Sequence, residues 1–196
     1  MFTINPCAAG CGKSAITGYN LCFVHLADPE KEISRICDYI ANNPTIKDFN
    51  VHGVTFENVD FSNHHFYGCN FINASFLNCN FSGIKARMCF FDFANINNCD
   101  FSKSDIQFVS YAGTHIDNSC FEGSEIVHVN FEGAVITNTS FNNSNLYNSR
   151  FISANLNKAG FSNCNLKRVY FASAKQNDVL FKSSNTAEAV FETSEV

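Results

Sequence analysis

Cys7, Cys11, Cys22 and His25 stand at the spacing C-x3-C-x10-C-x2-H. Three thiols and an imidazole in two close pairs, joined by a short loop, are what a tetrahedral zinc site requires. Gly10 and Gly12 flank the second cysteine and Gly18 sits in the connecting loop, so the gaps carry turn formers. So short a segment, with little apolar material of its own, needs a metal to hold it. A redox role is disfavoured because no C-x-x-C pair is present. The run GCGKS at Gly10–Ser14 lacks the G-x-x-x-x-G-K-[ST] frame, and no strand precedes it, so phosphate cradling is discounted. These four residues are therefore candidate ligands of a structural zinc.

The stretch also resembles small C-x3-C…C-x2-H zinc modules found singly or attached to other domains, some phage-type endonucleases among them. A GC-x-K and an LC-x-x-H element recur in those, as GCGK and LCFVH do here. Nuclease residues are absent, so the resemblance carries no catalytic role over. The module is expected over residues 1–27.

The chain beyond His25 must hold this module in place. Residues 28–45 read as a capping helix and linker: Asp28 is a good N-cap, Pro29 suits the first helical position, and Glu30 and Glu32 suit the positive helix end. Ile33, Ile36, Cys37 and Ile40 make one narrow apolar stripe. Asn42, Asn43 and Pro44 stop it. So narrow a stripe fits a lid over the end of a repeat array.

From residue 46 to residue 196 the chain repeats in steps of five. Phe61, Phe71, Phe81, Phe91, Phe101, Tyr111, Phe121, Phe131, Phe141, Phe151, Phe161, Phe171, Phe181 and Phe191 lie ten apart, and aromatic or aliphatic residues fill most midpoints, with Ala86 the one alanine. Two positions before a centre the residue is small, as at Ala74, Cys79, Cys89, Ser104 and Ala134. Neither a helix nor a flat strand has this period. Gly53, Gly68, Gly83, Gly113, Gly123 and Gly133 all fall two residues after a centre, where corner turns would demand positive φ. Asn and Asp just before the centres, such as Asp60, Asn70, Asn80 and Asp100, are placed to bond corner backbone and one another along the array. Gln176 and Thr186 put polar groups at centres, so the last coils should be looser.

Units such as ASFLN, CDFSK, VNFEG and ANLNK resemble the pentapeptide-repeat family. That resemblance implies a mainly β fold, a right-handed four-sided β-helix with twenty residues per coil. About seven coils spaced ~4.8 Å apart would make a rod ~35 Å long. Centres twenty apart then stack, with the phenylalanines in two opposed columns. Each buried centre contributes about 1.5–3 kcal/mol, against about 1–2 kcal/mol to order one residue, so a single coil cannot stand alone.

Composition narrows the function. The net charge of -5 argues against direct nucleic-acid binding, which needs clustered Lys and Arg. No stretch approaches a membrane span, and the start lacks the shape of a secretory signal. Several of the ten cysteines fill the small-residue slot, which favours a reduced, cytoplasmic setting. His65, His115 and His128 should face outward and His64 inward, hydrogen-bonded within an early coil. No nucleophile–base set or metal dyad stands out in the repeats, so no enzyme is expected. Tyr67, Met88, Phe90, Phe93 and Phe108 fall at outward positions and form a candidate partner-binding patch, the alternative being that some fold inward to fill the space left by Ala86 or pack under the N-terminal segment. The leading expectation is a non-catalytic interaction rod with an unidentified protein partner. Open strand edges at the C-terminal coil would admit a homodimer. The family resemblance also implies an alternative: some members protect DNA gyrase by resembling duplex DNA. The slight acidic excess, the absence of a long inserted loop and the absence of a C-terminal dimerising helix weigh against it here.

Overall fold

A computed structural model describes residues 5–192. The outermost residues of the expected 1–27 and 46–196 segments, 1–4 and 193–196, lie outside the described residues.

The five-residue period folds as a four-sided β-solenoid of about seven turns. Each side is a three-residue strand or single bridge, and the corners alternate between a two-residue turn and a bend. Thr45–Lys47, His65–Tyr67, Lys85–Arg87, Asp105–Gln107 and Glu125–Val127 stack as one parallel sheet. Thr55–Glu57, Ser75–Leu77, Asn95–Asn97, His115–Asp117, Val135–Thr137, Asn155–Asn157 and Lys175–Asn177 stack as another. Register is offset by twenty throughout, as in Ile46↔Phe66 and Phe56↔Phe76. The first rung starts at Thr45, so the linker to it is only Asn43 and Pro44.

Corners explain the sequence grammar. The glycines two residues after a centre adopt φ of 61° to 72°, and Asn fills the same left-handed position at Asn58, Asn78, Asn98 and Asn118. Side chains one residue before a centre accept the N–H two residues on: Asp60 from Ser62 at 2.9 Å, Asn80 from Ser82 at 3.0 Å, Asp100 from Ser102 at 2.8 Å. Corner asparagines also bond up the rod, Asn98 to Asn78 at 2.6 Å and Asn118 to Asn98 at 3.1 Å.

Inside, Phe61, Phe81, Phe101, Phe121, Phe141, Phe161 and Phe181 form one parallel stack with centroids 4.4–5.4 Å apart. Phe71, Phe91, Tyr111, Phe131, Phe151, Phe171 and Phe191 form the other, edge-on to the first. All are sealed from solvent except Phe181 and Phe191, which are half-buried in the last described coil. Gln176 is exposed on its strand, and Thr186 starts a short 3-10 turn, Thr186–Glu188. The small slot is more than compact. Its thiols and hydroxyls donate across coils, Cys99 to Phe76 O at 3.6 Å and Ser124 to Phe101 O at 3.0 Å, and Ser124 Oγ also accepts Ser104 N–H at 3.0 Å. The slot is thus a polar ladder running inside the wall.

Helix α1, Pro29–Asn42, covers the first coil with Ile36 and Ile40, and Asp28 caps it by accepting Lys31 N–H at 3.1 Å. His64 is half-buried at that rim rather than enclosed in the coil. Its Nε2 lies 2.9 Å from Ile40 O and its Nδ1 2.9 Å from Ser62 O, so it joins helix to rod. No helix among the described residues is long and apolar enough to cross a membrane.

Candidate metal centre and aromatic corner

Pro6 bridges Ser14 in antiparallel fashion, pinching residues 7–13 into a tight loop whose turns at Gly10 and Gly12 take φ of 70° and 77°. The second half returns through Gly18, and a 3-10 turn, Phe23–His25, swings the histidine back over the loop. Together they converge Cys7, Cys11, Cys22 and His25, whose ligand atoms all lie within 4.8 Å of one another. Cys7 Sγ and Cys22 Sγ each lie 3.4 Å from His25 Nδ1, and Cys11 Sγ lies 3.6 Å from Cys22 Sγ. A tetrahedral ion with metal–sulfur bonds of ~2.3 Å and a metal–nitrogen bond of ~2.0 Å has edges of roughly 3.5–3.8 Å. Those three separations match, so this set can hold a metal ion.

Electrostatics agree. Cys22 N–H donates to Cys7 Sγ at 3.2 Å, and this bond chiefly brings the Cys7 thiol down to about 6, against the pull of burial. Cys22 moves the other way, raised by burial and then by the neighbouring sulfurs Cys11 and Cys7. Two adjacent thiolates repel, and a divalent cation removes that repulsion. Cys7 and Cys22 are buried while Cys11 and His25 face solvent, which leaves the ion an entry path.

A neighbouring network fixes the loop to α1. Glu32 is buried, accepting from the Tyr19 hydroxyl at 2.5 Å and from Arg35 Nε at 2.6 Å, while the Arg35 guanidinium lies 5.3 Å from the Tyr19 ring centre. Burial pushes the Glu32 carboxyl up, and Arg35 with Tyr19 outweighs it and holds the group below its usual value. The sequence suggests only a helix-dipole role for Glu32. Its burial depends on a tertiary contact that no local pattern marks.

The second feature lies on the rod. Met88, Phe93 and Phe108 are 60%, 61% and 57% exposed, while Phe90 is 37% exposed and Tyr67 half-buried. Tyr67, Met88, Phe90 and Phe108, with Lys47 and His65, line a largely apolar groove of about 680 Å³. Phe93 does not line it; its ring lies across the next corner, where a Cβ on Gly113 would fall 2.6 Å from it. Phe108 stacks flat on His128 at 5.0 Å, and His128 meets Tyr147 edge-on. Sequence reasoning missed the backbone state: Met88, Phe93 and Phe108 occupy the left-handed corner position, with φ of 53°, 58° and 55°. The signal was available, since each stands two residues after a centre, where Gly or Asn is usual.

Two family profiles match the chain: "Pentapeptide repeats (8 copies)" over residues 52–85 and "Pentapeptide repeat region" over residues 124–196. No curated protein matches. Among solved structures, a trypsin-treated variant of QnrB1, a plasmid-mediated fluoroquinolone resistance protein, is 22% identical with a TM-score of 0.53, covering 72% of this chain and 69% of that one. A pentapeptide repeat protein from the Arabidopsis thaliana thylakoid lumen is 22% identical with a TM-score of 0.41, covering 51% of this chain and 66% of its own. At 22% identity the likeness to QnrB1 is one of fold.

Proposed function

The chain belongs to the pentapeptide-repeat family, and on that premise we propose that it is a non-catalytic interaction rod whose N-terminal knuckle carries one structural zinc. The knuckle reading rests on the ligand set: three sulfurs and one nitrogen within 4.8 Å of one another favour zinc over oxygen-seeking cations. Bound there, zinc would act as a cross-link between the two halves of the loop, with Cys7, Cys11, Cys22 and His25 holding it.

The interaction reading is carried by one observation. Met88, Phe93 and Phe108 combine high exposure with a left-handed backbone. For a bulky L-residue that backbone costs about 1–2 kcal/mol, and exposure returns little in compensation. Phe93 lies over Gly113 and Phe108 on His128, yet all three side chains keep more than half of their surface in solvent, which a partner protein would cover.

QnrB1 is described as a fluoroquinolone resistance protein, and duplex mimicry toward a gyrase-type enzyme is the rival reading. Mimicry calls for acid on successive coils, because a duplex offers about one charge per 1.7 Å. Stepping by twenty along the described coils, only Asp105 and Glu125 follow each other as acids on one outward column. That favours the apolar corner over an acidic face.

The test is capture of native partners by the intact chain and by a variant with Met88, Phe93 and Phe108 all changed to Asn. A partner held by the first and lost by the second, with β-rich circular dichroism unchanged, is the expected result. Equal capture by both would move the interface elsewhere. A DNA supercoiling assay at micromolar protein decides the rival, which predicts an effect.

A further inference from the structure

The segment of the knuckle that meets the rod is Ala15–Thr17, strung between Cys11 and Cys22. Along this column of the rod each residue is bonded to the coil below it through both backbone groups. Asn70, for example, donates its N–H to Phe49 O at 2.7 Å, and its carbonyl accepts Val51 N–H at 2.9 Å. Asn50 stands on the first coil and has no coil below. Thr17 supplies both bonds instead: its Oγ1 accepts Asn50 N–H at 2.7 Å and its N–H donates to Asn50 O at 2.9 Å. The Asn50 side chain adds a bond to Ala15 O at 2.8 Å, and Ile16 is buried in the rod's own core. Thr17 is a surrogate rung, made half by backbone and half by side chain.

We propose that the metal centre locks this surrogate rung, so that metal occupancy decides whether the first edge of the rod in this column is sealed. The inference rests on the zinc reading of the knuckle and adds a regulatory consequence to it. The strap is anchored at both ends by ligands, Cys11 four residues before Ala15 and Cys22 five residues after Thr17. Without an ion, the facing sulfurs of Cys11 and Cys22 at 3.6 Å keep only a weak thiol contact, and the strap is left to a few backbone bonds, Ala15 N–H to Asn5 O at 2.8 Å and Ile16 N–H to Leu21 O at 3.1 Å among them. The loop's side-chain tie from Tyr19 to Glu32 runs to α1 and not to Asn50. The coils above are held by their own ladder and ring stacks, in which the knuckle takes no part, so opening stays local. An opened edge presents an unpaired N–H and C=O at Asn50, a template for strand addition.

Residue-resolved hydrogen exchange on the full chain tests this, with zinc bound and again after chelation under reducing conditions. Chelation should accelerate exchange of the Asn50 amide at least tenfold while the Phe71 and Phe91 amides stay within twofold. In the zinc-loaded chain, Thr17→Val should accelerate Asn50 alone with zinc content unchanged. Unchanged Asn50 exchange after chelation of a chain shown to hold zinc overturns the lock and leaves the zinc reading standing. Loss of protection spread evenly along the rod also overturns it. A chain that neither carries nor takes up zinc sinks both.

Discussion

The knuckle of residues 5–27 and the rod from Thr45 onward keep their backbones ordered by different means. In the rod, order is collective: every centre rests on another twenty residues away, and each coil lends its ladder to the next. Nothing in it depends on one atom. In the knuckle four ligand atoms converge on a single point, and the buried apolar side chains nearby are few, chiefly Ala15 and Ile16. Length makes the difference: a repeat array can add coils until stacking exceeds chain entropy, and a twenty-residue loop cannot. The rod should therefore absorb local damage in graded steps, and the knuckle should fail all at once.

Mutations along the rod sharpen that contrast. Phe121 has a ring above, a ring below and none of its surface in solvent, so Phe121→Ala should cost about 3–5 kcal/mol in denaturant unfolding. Phe181 stacks on Phe161 and is half-buried in the last described coil, so Phe181→Ala should cost only about 1–2 kcal/mol. Equal losses at the two sites would contradict a graded rod. Tyr111 buries its hydroxyl without a partner, and Tyr111→Phe should raise stability by about 1 kcal/mol. A drop instead would mean that the hydroxyl is satisfied in solution. Met88→Asn relieves a strained corner and should gain up to about 1 kcal/mol while weakening partner capture. A gain in both would remove Met88 from the interface.

The two regions were also unequally legible. The rod could be read because its rule is local and repeated: Phe121 sits inside for the same reason as Phe101 and Phe141, and Gly113 turns a corner for the same reason as Gly133. The ligand set could be read because zinc chemistry limits residue types and spacing. Contacts made once, across the fold, could not. Nothing around Thr17 announces a bond to Asn50, nothing around Glu32 announces Tyr19, and His64 looks inward until α1 is laid across the rim. The small slot was half legible: its size follows from packing, but its cross-coil bonds need the coil below to exist. The strain at Met88, Phe93 and Phe108 was visible in the five-residue grammar as a departure from Gly and Asn.

The most direct test of this division of labour is thermal unfolding of the rod before and after zinc is stripped from the intact chain. The account predicts one zinc released per chain, loss of amide protection through the knuckle, and a rod melting temperature that moves by no more than about 2–4 °C. Rod and knuckle collapsing together, or no zinc released at all, would contradict it.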